Sequence, residues 1–160
     1  MSILINKHIF ISEMYNFKQD FRNRKEMENI KIFISYRETE RDYREGFEGL
    51  LQNPNSELRG IPISSRNDVR AKGEQAVKNY IKEKIIESDL MICLIGNDSH
   101  NSTYVDYEMD VATSKQIPII GVRIPNTSGG GPNLFIKREL LLLDWNTSNI
   151  AQEIEDIFEE

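Results

Sequence analysis

The chain contains one cysteine, Cys93, so no disulfide can form within it. It has no apolar run near the roughly 20 residues that a membrane-spanning helix requires. Its amino terminus lacks the apolar core and small-residue cleavage site of a secretory signal. Because unpaired cysteines are usual in a reducing compartment, these absences predict a cytoplasmic protein with no membrane contact.

The sequence contains few residues that could form a metal site or a catalytic nucleophile. His100 is one of only two histidines, and no second histidine or cysteine stands near it to complete a metal site. No serine has a histidine and an acid in a recognisable catalytic arrangement. Gly129–Gly131 do not follow a strand and open a helix, so a flexible connector is a better interpretation than a phosphate-binding loop. We therefore expect no metal and no bound cofactor.

Charge and size set the broad class of protein. The 26 acidic residues outnumber the 20 basic ones, for a net charge of −6, which argues against a nucleic-acid partner. With 39% hydrophobic and 29% charged residues, the 160-residue chain has a globular composition. This length predicts one domain.

The hydrophobic pattern predicts alternating strands and helices. Short apolar runs predict strands at Ile32–Ser35, Leu90–Ile95, Ile117–Ile124 and Leu140–Leu143. Leu58–Ile63 could add a strand, at best a short one at the edge of the sheet, because it contains Gly60 and Pro62. Helical spacing predicts a helix around Tyr43–Leu51, further helices at Glu74–Glu87 and Thr103–Lys115, and a last one from Ile150 to Phe158 with Asn149 as its cap. Nearly continuous apolar strands between helices indicate a parallel sheet covered on both faces. Ligands of such folds bind at the carboxyl ends of the strands.

The first 29 residues are harder to interpret. His8–Ser12 has a pattern similar to that of Lys31–Ser35, and either could be the first strand. We favour the second, because a helical pattern follows it at an ordinary loop distance. The sequence therefore predicts an amino-terminal extension of uncertain structure over residues 1–29, and a domain over residues 30–160. Met27 is a natural starting point for a shortened chain.

Two short segments carry the candidate site. Ser35, Tyr36 and Arg37 leave the first strand, where a hydroxyl and a guanidinium suit a diphosphate, although an ordinary core strand would look the same. Glu108 lies three residues after Val105, about 300° around the helix, which predicts a half-sheltered position at the edge of its buried face. A surface glutamate is the competing interpretation. Tyr104 precedes Glu108 by one turn.

Two other segments have weaker signals. Residues 64–68 could line a site beside the first strand or could form a simple turn. Cys93 lies inside a strand pattern and is expected to be inert core.

Five motifs in order resemble the TIR-like domain, and in particular the bacterial branch that acts as the sensor of Thoeris antiphage systems. They are Phe33–Tyr36, Ser88–Gly96, the Tyr-Val-x-Tyr-Glu sequence of Tyr104–Glu108, Ile117–Val122 and Leu142–Trp145. The resemblance extends over about residues 30–160. It implies a flavodoxin-like three-layer α/β sandwich with a five-stranded parallel sheet.

The resemblance also implies an activity, which is the cleavage of NAD at its nicotinamide–ribose bond. In the Thoeris branch the product is a cyclic ADP-ribose-type signal that reaches a separate effector, after a phage-derived trigger and self-association. Glu108 matches the family's catalytic glutamate, while Ser35, Tyr36 and Arg37 match the loop that borders the nucleotide. Tyr104 stands where many members carry tryptophan. A non-catalytic interaction module and a nucleoside deoxyribosyltransferase-like enzyme remain the alternatives.

Overall fold

A single parallel sheet organises the molecule. The computed structural model describes residues 7–16, 26–63, 72–97, 103–127 and 138–159. The strands are β1 Lys31–Ser35, β2 Ile61–Ile63, β3 Leu90–Ile95, β4 Ile119–Arg123 and β5 Leu141–Asp144. They lie in the order β2-β1-β3-β4-β5, and every neighbouring pair is parallel. This arrangement confirms the predicted flavodoxin-like α/β fold.

Of the five helices that the structure describes, four cover the two faces of the sheet, and the first has no buried side chain. The helices are α1 at residues 7–16, α2 Arg41–Gln52, α3 Glu74–Glu87, α4 Thr103–Ser114 and α5 Thr147–Phe158. One apolar cluster joins the sheet to α2 and α5, and a second joins it to α3 and α4. Every residue of the central strand β3 is buried, as expected for a strand covered on both sides. Within the described residues, no helix combines the length and apolarity needed to cross a membrane.

Alternation along β1 decides which side chains face the site. Ile32 and Ile34 belong to the cluster under α2 and α5, whereas Phe33 belongs to the cluster under α3 and α4. Successive side chains of a strand point to opposite faces, so Ser35 points toward α3 and α4. Tyr36 packs against the opposite cluster.

Most element bounds differ from the sequence prediction by a few residues, and two of the differences have a clear physical reason. The edge strand β2 contains only the last three residues of the predicted Leu58–Ile63, because Gly60 and Pro62 weaken strand pairing there. Leu58 is nevertheless fully buried. The cap of α5 is Asn146 rather than Asn149, since the side-chain oxygen of Asn146 accepts a hydrogen bond from the backbone N–H of Asn149 at 3.0 Å.

The choice between the two similar amino-terminal patterns is confirmed. Lys31–Ser35 pairs with both β2 and β3, whereas residues 7–16 form a helix whose side chains are all exposed. Met27 and Ile30, which lie just before β1, are buried in the core under α2 and α5.

We expect a chain that begins at Met27 to fold as well as the full chain. Helix α1 contributes no buried side chain, and residues of this kind are usually dispensable for folding. Circular dichroism and thermal unfolding of the chain lacking residues 1–26 test this expectation. A melting temperature close to that of the full chain is predicted, and insoluble or much less stable protein would show that the extension supports the core.

Candidate functional site

The structure brings Ser35 and Glu108 together. Ser35 is the last residue of β1, and Glu108 lies in the second turn of α4, 73 residues later in the chain. The hydroxyl of Ser35 donates a short hydrogen bond to Oε2 of Glu108. Both side chains are buried, with exposed fractions of 1% and 6%. The contact lies at the carboxyl edge of the sheet, where ligands of open α/β folds bind.

Glu108 is more deeply buried than the predicted half-sheltered position. The prediction placed it at the edge of the stripe that contains Val105, Met109 and Ala112. Val111 is buried as well, which widens the apolar face of α4. At about 100° per residue, Glu108 then falls between two buried positions of the helix rather than beside them.

Tyr107 holds this helix against its neighbour. The phenol of Tyr107 donates a hydrogen bond of 3.0 Å to the backbone carbonyl of Lys78 in α3. The Lys78 ammonium lies 5.4 Å from the centre of the same ring. Because the residue next to Glu108 is anchored in this way, the carboxyl group is supported from both the sheet and α3.

Burial changes the acidity of the Glu108 carboxyl. Desolvation raises its pKa from 4.5 to about 8, while the hydrogen bond from Ser35 acts in the opposite direction because it stabilises the charged form. A carboxyl group with a strongly displaced pKa at a strand end is a frequent mark of a functional site. At neutral pH the unliganded protein therefore holds Glu108 mainly in its protonated form.

Cys93 lies beside this pair but is chemically quiet. It is the register partner of Ser35 on β3 and is fully buried, as the sequence predicts. Burial, followed by the nearby Glu108 carboxylate, raises the pKa of the Cys93 thiol to about 12. The thiol remains protonated, so it offers no thiolate nucleophile.

The remaining predicted residues, Tyr36, Arg37 and Tyr104, differ in their positions relative to this pair. The half-buried ring of Tyr36 packs under the guanidinium of Arg44, at 4.9 Å, on the other face of the sheet. Arg37 is partly exposed at the end of β1, and Tyr104 is 41% exposed one turn before Glu108. Ser35 and Glu108 are thus joined directly, whereas Tyr36 is directed away from them.

Glu40 is a neighbour that the sequence analysis missed. It ends a short 3-10 turn, Glu38–Glu40, and its backbone N–H donates to the carbonyl of Arg37 at 2.8 Å. Its carboxyl lies over the end of β3, where a Cβ atom on Gly96 would be 2.9 Å from Cδ of Glu40. The glycine after β3 therefore leaves space for a second carboxylate near the site. Its signal in the sequence is weak, because the contact depends on β1 and β3 being neighbours.

Three segments that follow strands in the sequence lie outside the described residues. They are residues 64–71 after β2, 98–102 after β3 and 128–137 after β4. The predictions for Ser64–Asp68, His100 and Gly129–Gly131 fall in these segments. Among the residues that are described, no group of three His, Cys, Asp or Glu side chains could hold a metal ion.

Comparisons with known proteins agree with this geometry. The family model described as "Thoeris protein ThsB, TIR-like domain" matches residues 33–129, which is more than half of the chain and includes Ser35, Glu40, Cys93 and Glu108. No match to a curated protein was found.

Two solved structures are similar in backbone trace. A phosphoheptose isomerase from Francisella tularensis matches with a TM-score of 0.50 and 14% identity, over 92% of this chain and 93% of its own. A Clostridium botulinum CMP N-glycosidase, BcmB, matches with a TM-score of 0.48 and 12% identity, over 81% of this chain and 99% of its own. At such identities the isomerase match reports the fold alone.

Proposed function

This chain belongs to the Thoeris ThsB TIR-like domain family, and on that premise we propose that it cleaves NAD at the bond between nicotinamide and ribose. The observation that carries the proposal is the buried Glu108 carboxyl, held by the Ser35 hydroxyl at the carboxyl edge of the sheet. NAD is the substrate in this proposal, and the reaction needs no metal or bound cofactor.

One carboxylate is sufficient for this reaction. The nicotinamide ring of NAD carries a positive charge and leaves as a neutral molecule, so its departure requires no general acid. The transition state resembles a ribose oxocarbenium ion, as in glycoside cleavage generally. A preorganised carboxylate stabilises that developing charge most strongly where water is excluded. Glu108 has the burial that this role requires, and Ser35 fixes the direction of its carboxyl group.

The protonation of Glu108 is the point on which catalysis depends. The neutral acid cannot stabilise a cation, and with a pKa of about 8 it predominates at neutral pH in the unliganded protein. The positive nicotinamide ring, once bound beside Glu108, favours the charged carboxylate. Substrate binding and proton release by Glu108 are thereby coupled.

The fate of the ribose determines the product. Water attacking the oxocarbenium ion gives linear ADP-ribose, whereas a site that excludes water lets another group of the same molecule attack. We propose that this chain follows the second course and makes a cyclic ADP-ribose-type signal for a separate effector, in response to a phage-derived trigger. Arg37 would bind phosphate and Tyr104 would flank a ring of the substrate.

Substrate assays separate this proposal from the two alternatives. The assays use the purified chain at high concentration and in the presence of extract from infected cells. Release of nicotinamide from NAD under these conditions supports the proposal. Exchange of bases on deoxynucleosides, with NAD left intact, would instead favour a deoxyribosyltransferase-like enzyme. A folded chain that acts on neither would favour an interaction module, since one fold serves many functions.

We expect kcat/KM for NAD to rise with pH, with a midpoint near pH 8, and to level off above that pH. This parameter reports groups of the free enzyme, and Glu108 must lose its proton to act. Ser35→Ala removes the hydrogen bond that lowers the pKa of Glu108, so the rise should move to higher pH. Nicotinamide release measured across the pH range in both proteins tests this expectation.

Ser88→Ala is the matched control. Ser88 is also buried, and its hydroxyl donates to the backbone carbonyl of Ile85 at 2.6 Å, at the amino end of β3. The control loses one buried serine hydroxyl without touching Glu108, so its pH profile should remain that of the wild type. A flat profile in the wild type, or identical profiles for Ser35→Ala and the wild type, would contradict the role given to this pair.

A further inference from the structure

Helix α1 presents an apolar stripe to solvent. Phe10, Ile11, Met14 and Tyr15 are each between 43% and 66% exposed. At about 100° per residue they fall on one side of the helix, within an arc of roughly 140°. Residues 12 and 16 are polar and lie on the other side, where the exposed Ile9 also lies. Contiguous exposed apolar surface of this kind commonly marks an interaction site.

A groove of similar length lies at the amino edge of the sheet, opposite the Glu108 site. It consists of two clefts of about 390 and 220 Å³ that share Met27 and Glu155. One wall is a stripe of α5, formed by Ser148, Ala151, Gln152, Glu155, Phe158 and Glu159. At about 1.5 Å per residue, the ten residues of α1 extend for about 15 Å and the twelve of α5 for about 18 Å.

Apolar groups line the groove and acids surround them. Met27 and Ile30 line its floor, and Phe158 is 40% exposed at one end. The carboxyl groups of Glu26, Glu57, Glu155 and Glu159 also line it.

The only basic residue among the lining side chains is committed to its own loop. The guanidinium of Arg59 donates to the backbone carbonyls of Asn53, Pro54, Ser56 and Leu58. The groove therefore suits a partner that is both apolar and basic.

The amino-terminal segment has that composition. Residues 1–25 contain five Lys or Arg residues against two carboxylates, whereas the chain as a whole has a net charge of −6. The extension is thus positive by three charges and the rest of the chain is negative by nine. Lys7 belongs to α1 itself, and the other four basic residues follow α1 in the sequence. Opposite net charge on the extension and the groove favours their association.

We propose that helix α1 of one copy of this chain docks in the amino-edge groove of a second copy. Within a single chain the stripe of α1 remains exposed, so the groove of the same chain does not bury it. Reciprocal exchange places two helix–groove contacts in one interface, which helps to reach the roughly 1,200–2,000 Å² of buried surface typical of stable complexes. This inference concerns the face opposite Glu108 and does not depend on the reaction at that site.

Cross-linking between two different chains tests the proposal directly. Cys93 is fully buried, so an introduced surface cysteine is the reactive one. A tagged chain carrying Met14→Cys is mixed with an untagged chain carrying Ala151→Cys under mild oxidation. A disulfide-linked species with the mass of one of each is expected. No linked species, or linkage only within a dilute chain that carries both substitutions, would overturn the exchange.

Sedimentation measurements with two matched variants provide the second test. Phe10→Asp with Met14→Asp changes the apolar stripe, and Ser12→Asp with Asn16→Asp adds the same charge to the polar side. The first pair should weaken self-association at least tenfold, and the second should weaken it much less. Equal effects from both pairs would overturn the proposal. A wild type that stays monomeric at every concentration would also overturn the proposal. The same holds if such a monomer binds anionic lipid vesicles through α1.

Discussion

Glu108→Gln is expected to abolish NAD cleavage while the protein stays folded. The substitution keeps the shape of the side chain but removes the negative charge that would stabilise the ribose cation. Losing one transition-state contact of this kind costs about 10²–10³ in rate, and more where it is the main one. The measurement is nicotinamide release under conditions in which the wild type is active.

Asp110→Asn provides the matched control for that experiment. Asp110 lies two residues further along α4, where its 65% exposed side chain pairs with Arg138. It loses the same charge from the same helix but outside the site, so its activity should stay within a few-fold of the wild type. Equal activity of Glu108→Gln and wild type would end the catalytic assignment of Glu108.

Glu108→Gln should also stabilise the fold at high pH. Below about pH 4.5 Glu108 is protonated in both the folded and the unfolded chain, so the variant and the wild type should unfold alike. Between pH 4.5 and 8 the unfolded chain has released the proton and the folded chain retains it, so stability falls as the pH rises. Above pH 8 the wild type carries a buried charge that the variant lacks. Thermal unfolding at acid and alkaline pH measures the difference.

A higher melting temperature for Glu108→Gln at alkaline pH alone would show that the buried charge of Glu108 destabilises the fold. Each displacement of the pKa by one pH unit corresponds to about 1.4 kcal/mol, so a gain of a few kcal/mol is within reach. Active sites often reduce stability in this way. The same gain at pH 4 would show that packing, and not charge, is responsible.

The second large effect that we expect is a requirement for assembly or a trigger. Members of TIR-like families commonly complete their sites by association of protomers, and this chain is proposed to do the same. If the competent arrangement is rare in the isolated chain, shifting its population from about 1% to 99% requires roughly 10⁴-fold preferential binding by the trigger or partner. The isolated, dilute chain should therefore be nearly inactive.

Activity per protomer, measured against concentration with and without extract from infected cells, tests this requirement. A steep rise with concentration or with extract is expected. Full turnover by a dilute monomer, independent of both, would contradict it. The Phe10→Asp, Met14→Asp variant adds a distinction, because it should impair self-association through α1 without altering the Glu108–Ser35 contact.

Most of the sheet could be predicted closely, because its central strands are apolar runs that are visible in the sequence without knowledge of distant contacts. Leu90–Ile95 is an uninterrupted apolar run, and the structure gives it the predicted bounds. Glu74–Glu87 likewise has the predicted bounds. The edge strand Ile61–Ile63 could be predicted only as a short strand within Leu58–Ile63, because its pairing with β1 determines its bounds.

The site could be predicted only in part because it depends on contacts between distant segments. Ser35 and Glu108 are each visible in the sequence, but their hydrogen bond and the resulting pKa follow from burial. Glu40 could not be predicted as a neighbour of the site, because its position depends on the space left by Gly96, the glycine that follows the neighbouring strand β3. The direction of Tyr36 follows from the alternation of β1, which sends it toward Arg44 and away from Glu108.

The most direct measurement is mass spectrometry of NAD incubated with the pure protein and its activating extract. Our account predicts free nicotinamide together with a product that has the mass of ADP-ribose less one water, and neither of these with Glu108→Gln. Linear ADP-ribose alone would retain the cleavage but contradict the cyclic signal. NAD left intact by folded wild-type protein under every condition would contradict the central claim.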